Sequence, residues 1–146
     1  IKKTTGKDIT NYPGAGAAGG MGGGLLAFFN AELKPGTELL LKAIDFSEKI
    51  KGADLIITGE GKADRQTAMG KVPYGILKEA QKEHIPVIVL AGSIENLPEL
   101  NKAGFKGIFS IAPGPITLEK AMEPEFAKEN ITRLVSQLYS VITSFG

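Results

Sequence analysis

The sequence predicts an α/β fold in which a mostly parallel sheet is covered by helices on both faces. Three apolar runs of strand length, residues 55–57, 87–90 and 108–111, alternate with segments of helical spacing. Runs that are apolar on both sides suit strands buried on both faces of a parallel sheet. The alternation implies right-handed crossovers. Three strands are few, so we expect them to be part of a larger sheet.

Composition narrows the class of protein. The 146 residues carry a formal net charge of +1 and no cysteine. A nearly neutral chain gives no support for nucleic acid or an anionic membrane as the main partner. The absence of cysteine excludes disulfides and fits a cytoplasmic location. No apolar run approaches the length of a membrane span. Because the chain starts at Ile1 without an initiator methionine, we expect a piece of a longer polypeptide.

A glycine cluster occupies the amino-terminal part of the chain. Residues 1–12 predict a loop, and seven glycines follow Pro13: Gly14, Gly16, Gly19, Gly20, Gly22, Gly23 and Gly24. The apolar helical run after them makes a glycine-rich loop that leads into a helix, the usual geometry for holding an anion. Residues 14–19 also match G-x-G-x-x-G, although no convincing strand precedes them. The alternative is structural, because small residues let elements pack closely.

Short helices are expected between this cluster and the first strand. Residues 38–43 read as one helix after a break at Pro35 and Gly36. Asp45 and Glu48 then have the form of a capping box, with Asp45 as the N-cap, and Gly52 ends the short helix that follows.

Helices are also expected after each strand. Residues 72–83 have helical spacing with Pro73 in the first turn, where proline is tolerated. Residues 97–103 predict a second helix, and Thr117 opens a third that Pro124 interrupts. A long amphipathic helix from Pro124 to Phe145 completes the chain, with an apolar face of Ile131, Leu134, Val135, Leu138 and Ile142.

The densest set of polar groups follows the first strand, which we expect to stop at Thr58 and Gly59. In open α/β sheets, ligands bind outside the carboxyl ends of the strands. Glu60 and Asp64 could hold Mg²⁺ or accept a proton, and Lys71 at the mouth of a helix could neutralise a phosphate. The segment is not a P-loop, since its glycine spacing fails. The structural alternative is a solvated loop with surface charges.

These residues resemble the signature of the bacterial glycerate kinase family. The longest run is Asp54-Leu55-Ile56-Ile57-Thr58-Gly59-Glu60-Gly61, continued by Asp64, Gln66-Thr67, Gly70-Lys71 and Pro73. The run from Pro13 to Gly22 is similar to that family's glycine-rich segment, and Ala91-Gly92-Ser93 and Phe109-Ser110-Ile111 fall in matching order. The likeness extends from about Pro13 to the carboxyl end, so the chain resembles only the carboxyl-terminal portion of such an enzyme.

The resemblance implies a Rossmann-like three-layer α/β/α domain with a mostly parallel sheet, only part of which lies in this chain. It also implies a second domain inserted into the first. Residues 1–37 would be the glycine-rich end of the inserted domain. Residues 38–146 would be the carboxyl-terminal part of the Rossmann-like domain.

The resemblance further implies a function and a set of site residues. The reaction is ATP-dependent phosphorylation of D-glycerate to 2-phosphoglycerate or 3-phosphoglycerate, assisted by Mg²⁺, in an enzyme that could be a homodimer; we expect the piece alone to be inactive. The residues carried over as catalytic are Asp64, Lys71 and Glu60, with Asp64 or Glu60 on the metal. Those carried over as substrate or nucleotide contacts are Gly14, Gly16, Gly19, Gly20, Gly59, Gly61, Gln66 and Thr67.

Two other functions stay open on the sequence. Residues 14–19 allow a nicotinamide-dinucleotide-binding Rossmann domain. The alternating strands and helices also suit a non-catalytic flavodoxin-like module that binds a protein partner.

Overall fold

The computed structural model describes residues 1–29 and 31–144, and the chain divides into two compact units, Ile1–Leu39 and Leu40–Gly146. Along the chain the helices and strands are α1 (Lys2–Thr5), α2 (Ala17–Phe29), α3 (Gly36–Ala43), α4 (Phe46–Lys49), β1 (Ile56–Ala63), α5 (Val72–Lys82), β2 (Val87–Ile94), α6 (Leu97–Ala103), β3 (Gly107–Ser110), α7 (Leu118–Ala121) and α8 (Pro124–Thr143). A 3₁₀ turn, Thr67–Met69, lies between β1 and α5.

The first unit contains the glycine cluster. The prediction of a loop over residues 1–12 is wrong in part, because Lys2–Thr5 form a helical turn that ends at Gly6 in the left-handed region (φ 73°). Helix α2 is kinked at its start, where Ala18, Gly19 and Gly20 have φ of 50°, 66° and 94°. Regular helix therefore begins only after this run of left-handed residues, so a glycine-rich turn leads into a helix as the sequence indicates.

The second unit is built on a parallel sheet of order β1-β2-β3, as predicted. Ile56 pairs with Val87 at one end of β1 and Ala63 with Ile94 at the other, while β2 pairs with β3 from Ile88 to Ala91. Because all three strands are parallel, their carboxyl ends lie along one edge of the sheet. Groups that follow these ends are thereby brought near one another.

Helices cover both faces of this sheet. On one face Val87, Val89 and Ala91 of β2 form a buried core with Leu77 of α5 and Leu100 of α6. On the other face Ile88 and Leu90 are also buried. A small cavity there is lined by Gly92 of β2 and by residues of α7 and α8, among them Ala121, Phe126 and Ala127. The α/β fold with helices on both faces is confirmed. None of the helices within residues 1–29 and 31–144 is both long and apolar enough to cross a bilayer.

Most of the predicted helices form where the sequence indicates. Helix α6 has the predicted limits, α5 begins at Val72 with Pro73 in its first turn, and Thr117 caps α7 by accepting the Lys120 N–H at 3.3 Å. Helix α8 begins at Pro124 as predicted and ends at Thr143; the predicted last residue, Phe145, lies outside the described residues.

Two local predictions are wrong. Strand β1 does not stop at Thr58 and Gly59 but continues to Ala63, because its pairing with β2 extends to Ile94. The capping box at α4 does not form. Asp45 occupies the N-cap position with φ 50° and ψ 44°, and its side chain makes no capping hydrogen bond. An N-cap side chain reaches the helix from extended backbone, which a left-handed residue does not have.

Candidate functional site

The candidate site begins in the second half of β1. Because β1 runs to Ala63, Glu60 is part of a strand and its backbone is fixed by the pairing with Ala91 of β2. Asp64 is the first residue after the strand, and the 3₁₀ turn and Gly70 (φ 126°) then reverse the chain. Lys71 follows in extended conformation as the N-cap residue of α5. Strand, turn and helix entrance together place three charged groups at the carboxyl edge of the sheet.

The three predicted catalytic residues lie together. Lys71 Nζ is 3.3 Å from Asp64 Oδ1 and 3.9 Å from Glu60 Oε2. The two carboxylates are largely shielded, with 18% of the Asp64 side chain and 13% of the Glu60 side chain exposed, whereas 38% of Lys71 is exposed. An ammonium beside two largely shielded carboxylates can attract an anion, and the carboxylates can attract a cation.

Asp64 is held as a carboxylate. Its Oδ1 accepts hydrogen bonds from the Gln66 backbone N–H at 2.8 Å and from Lys71 Nζ at 3.3 Å. Burial alone raises the pKa of Asp64, but these two donors together with the positive charge of Lys71 outweigh it, so the pKa lies below the ordinary 3.8. At neutral pH this group is therefore ionised and accepts hydrogen bonds or a cation.

Glu60 carries an oxygen without a partner. Its Oε1 is buried and has no hydrogen-bond partner in the part of the chain that the structure describes. A buried acceptor in this state is uncommon and fits a cation or donor supplied by a ligand. Among the described residues no group of three His, Asp or Glu side chains is placed to hold a metal. Mg²⁺ suits a site of this kind, because it is usually bound by one or two carboxylates with waters and substrate phosphates completing its shell.

The other predicted contacts of the second unit have different surroundings. Gly61 has open space where a Cβ would stand, whereas a Cβ at Gly59 would lie 3.3 Å from the Leu90 carbonyl oxygen. Gln66 is exposed and precedes the 3₁₀ turn, and Thr67 is fully buried. Open space at Gly61 would let a ligand approach the backbone. The side chain of Gln66 is exposed and could itself contact a ligand.

The glycines of the first unit fall into two sets. A Cβ at Gly22 would lie 2.5 Å from the Gly14 carbonyl oxygen, and one at Gly23 would lie 2.6 Å from Ile9 Cδ1, so these two serve close packing. At Gly16, Gly19 and Gly20 no atom lies within 4 Å of the point where a Cβ would stand, and three of the four predicted ligand contacts have positive φ: Gly14, Gly19 and Gly20. The structural alternative therefore applies to Gly22 and Gly23. Gly16, Gly19 and Gly20 leave open space through which a ligand could approach the backbone.

The nicotinamide alternative lacks its structural context. The dinucleotide pattern requires a strand directly before the glycines. Among the described residues, 1–13 contain only the short helix α1 and no strand. Residues 14–19 therefore match the pattern in sequence but lack the strand that a dinucleotide site requires before it.

Sequence reasoning missed one charged pair beside the site. Lys62 Nζ lies 2.8 Å from Glu95 Oε1, and this hydrogen bond raises the pKa of Lys62. Glu95 directly follows β2, as Asp64 directly follows β1. If the end of β1 had been predicted at Ala63, Lys62 and Glu95 could have been expected to lie close together, because parallel strands end at one edge of the sheet.

A parallel α/β sheet with two carboxylates and a lysine at its carboxyl edge defines an α/β domain whose charged groups lie where such sheets bind ligands. Residues 1–143 match the family model described as the glycerate kinase family. The chain belongs to that family, and the resemblance found in the sequence is confirmed.

The individual relatives agree with the family match. The chain is 44% identical over 135 residues to the glycerate kinase of Bacillus cereus, which covers 92% of this chain and 35% of that protein. It is 42% identical over 134 residues to the glycerate 2-kinase of Escherichia coli, and the match covers 91% of this chain and 35% of that protein. A crystal structure of a candidate glycerate kinase 2 from Salmonella typhimurium LT2 superposes with a TM-score of 0.65 at 35% identity, covering 97% of this chain and 37% of that one. The chain thus spans about a third of the length of these relatives.

Proposed function

We propose that this chain contributes the carboxyl-terminal part of an ATP-dependent glycerate kinase, which transfers the γ-phosphoryl group of ATP to a hydroxyl of D-glycerate. The observation that carries the proposal is the position of Lys71 between Asp64 and Glu60, with Glu60 Oε1 buried and unpartnered among the described residues. Phosphoryl transfer needs mainly positioning and neutralisation of charge, and this cluster offers both.

The proposed reaction uses all three charged residues of the cluster. The substrate hydroxyl oxygen attacks the γ-phosphorus, the bond from phosphorus to the bridging oxygen breaks, and ADP leaves with the electron pair. Lys71 neutralises charge on the transferring group, and the entrance of α5 adds its helix dipole. Asp64 or Glu60 accepts the proton of the hydroxyl, while the other would hold Mg²⁺, which supplies further charge neutralisation when bound.

The remaining predicted contacts are proposed for each unit by itself. Gly59, Gly61 and Gln66 stay candidates for nucleotide or substrate contact in the second unit, whereas Thr67 is fully buried. Gly14, Gly16, Gly19 and Gly20 are proposed to offer backbone N–H groups to a phosphate or to the glycerate carboxylate, since glycine lets such groups approach an anion. The name of the E. coli relative, glycerate 2-kinase, favours 2-phosphoglycerate as the product over 3-phosphoglycerate.

The test is a coupled assay of ADP release. It compares the 146-residue chain with a hybrid in which this chain replaces the matching third of the Bacillus cereus relative. We expect the hybrid to release ADP with D-glycerate and Mg²⁺ but not with lactate, and the chain alone to release none. ³¹P NMR of the product distinguishes the 2-phosphate from the 3-phosphate. A folded hybrid that releases no ADP, while the parent B. cereus enzyme does, would overturn the proposal.

A further inference from the structure

We infer that Thr67 is a positioning residue that holds Asp64 in place, rather than a residue that contacts nucleotide or substrate. The inference rests on the proposed function, because that function gives Asp64 its part in the reaction. It assigns to the turn after β1 a purpose beyond connecting the strand to α5.

Thr67 binds both peptide groups of Asp64. The Asp64 N–H donates to Thr67 Oγ1 at 3.0 Å, and the Thr67 N–H donates to the Asp64 carbonyl oxygen at 3.0 Å. This pair of bonds closes a small ring between the two residues. With its N–H and its carbonyl both engaged by one neighbour, Asp64 has little freedom to rotate about its backbone bonds.

The carboxylate of Asp64 is held from the same turn. Its Oδ1 accepts the backbone N–H of Gln66, the residue directly before Thr67, at 2.8 Å. The position of that N–H depends on the turn that Thr67 closes, because Gln66 lies inside the ring. Thr67 therefore acts on the carboxylate through Gln66 as well as through the Asp64 backbone.

Burial argues against direct ligand contact by Thr67. Its exposed fraction is 0%, and the 3₁₀ turn to which it belongs packs against α5 and α6. Its hydroxyl oxygen is already an acceptor for the Asp64 N–H. A ligand would have to open the turn to reach this group, and opening the turn would release Asp64.

The test removes only the hydroxyl oxygen of Thr67, which accepts the Asp64 N–H. Thr67→Val keeps the shape of the side chain and leaves the Asp64 N–H without a partner, whereas Thr67→Ser keeps the hydroxyl. The matched control is Thr117→Val, which removes a hydroxyl that also accepts a backbone N–H, that of Lys120, at the exposed N-cap of α7. If Thr67→Val does not fold, Thr67→Ala removes the same acceptor without placing a methyl group against the amide.

Two measurements on the hybrid with the B. cereus relative decide the matter. In the ADP-release assay we expect Thr67→Val to lower kcat by about 10–100-fold with KM values little changed, because small misplacements of a reacting group have effects of this size. Thr67→Ser should restore kcat, and Thr117→Val should not lower it. A raised KM with unchanged kcat would show direct binding and overturn the inference.

The second measurement does not depend on kinase activity. Amide hydrogen exchange, followed by NMR, should show the Gln66 N–H exchanging markedly faster in Thr67→Val than in Thr67→Ser or Thr117→Val, since its bond to Asp64 Oδ1 loosens. Unchanged exchange at Gln66 in Thr67→Val would overturn the inference. If the unsubstituted hybrid makes no ADP but the exchange still responds, the proposed function fails while the positioning of Asp64 by Thr67 stands.

Discussion

Lys71 and Asp64 are seven residues apart in sequence, and the Lys71 ammonium lies 3.3 Å from Asp64 Oδ1. The turn between β1 and α5 is thus closed by an ion pair at its two ends. The pair is part-buried, with 18% of the Asp64 side chain and 38% of the Lys71 side chain exposed. In the proposed reaction this geometry would let the cation and the carboxylate face the same incoming group.

Replacing Lys71 with Met should lower kcat of the hybrid kinase by about 10²–10³-fold, the usual effect of removing one group that stabilises transition-state charge. The measurement is steady-state ADP release. Lys78→Met is the control, because Lys78 lies over the Tyr74 ring at 5.2 Å on an exposed part of α5. Equal kcat values for the two variants would contradict the role of Lys71.

Replacing Asp64 with Asn should lower kcat by about 10²–10⁴-fold, because an amide neither accepts the proton nor attracts the cation as a carboxylate does. The same assay measures it, with Mg²⁺ varied. Asp54→Asn, an exposed position just before β1, is the matched control. An unchanged rate for Asp64→Asn would remove this residue from the reaction.

Replacing Gly92 with Ala should destabilise the chain by about 1–3 kcal/mol, as overpacking commonly does. The added Cβ would lie 2.7 Å from the Gly61 carbonyl oxygen and push β1 away from β2. Urea unfolding measures the change. Gly61→Ala is the control, because no atom lies within 4 Å of its added Cβ, and its stability should change by no more than about 0.5 kcal/mol. Equal losses of stability in both variants would show that the contact between the added Cβ at position 92 and the Gly61 carbonyl oxygen does not limit how closely β1 and β2 approach.

Replacing Glu79 with Gln should remove a pH-dependent part of the stability. Hydrogen bonds from Lys82 and then Ser47 lower the pKa of Glu79 below its ordinary 4.5, although burial opposes them. A lowered folded-state pKa means that the stabilisation is present above the ordinary value and disappears as the pH falls through the lowered one. With 22% of the side chain exposed, the loss at pH 7 should be below about 1 kcal/mol.

The measurement is the free energy of unfolding at several pH values, with Glu129→Gln on the exposed side of α8 as control. The difference in the free energy of unfolding between the unsubstituted chain and Glu79→Gln should shrink to zero as the pH falls. The difference between the unsubstituted chain and Glu129→Gln should stay near zero at every pH. A gap that widens as the pH falls would contradict the assigned direction of the pKa shift.

Elements marked by local signals could be predicted from the sequence. Helix α6 has the predicted limits because Gly104 ends it in a left-handed conformation (φ 117°), and Pro124 begins α8 because proline suits a first turn. The cluster of Glu60, Asp64 and Lys71 could also be anticipated, since all three were expected beyond the end of one strand, where ligands bind in such sheets.

Features that depend on a partner distant in sequence could not be predicted from the sequence. Strand β1 continues through Gly59 and Gly61 because β2 supplies hydrogen bonds up to Ile94, a pairing that no single strand sequence reveals. Asp45 has the residue type of an N-cap but the wrong backbone conformation. The bonds of Thr67 to Asp64 arise only when the turn folds, so the sequence does not reveal them, and the family resemblance implied a ligand contact instead.

Strand β1 carries Glu60 on backbone that is paired with β2, whereas Asp64 and Lys71 belong to a turn. Glu60 is consequently placed by pairing between strands, and Asp64 by its hydrogen bonds to Thr67 and Gln66. A ligand that contacts Glu60 Oε1 would therefore meet a carboxylate whose backbone position the sheet already sets.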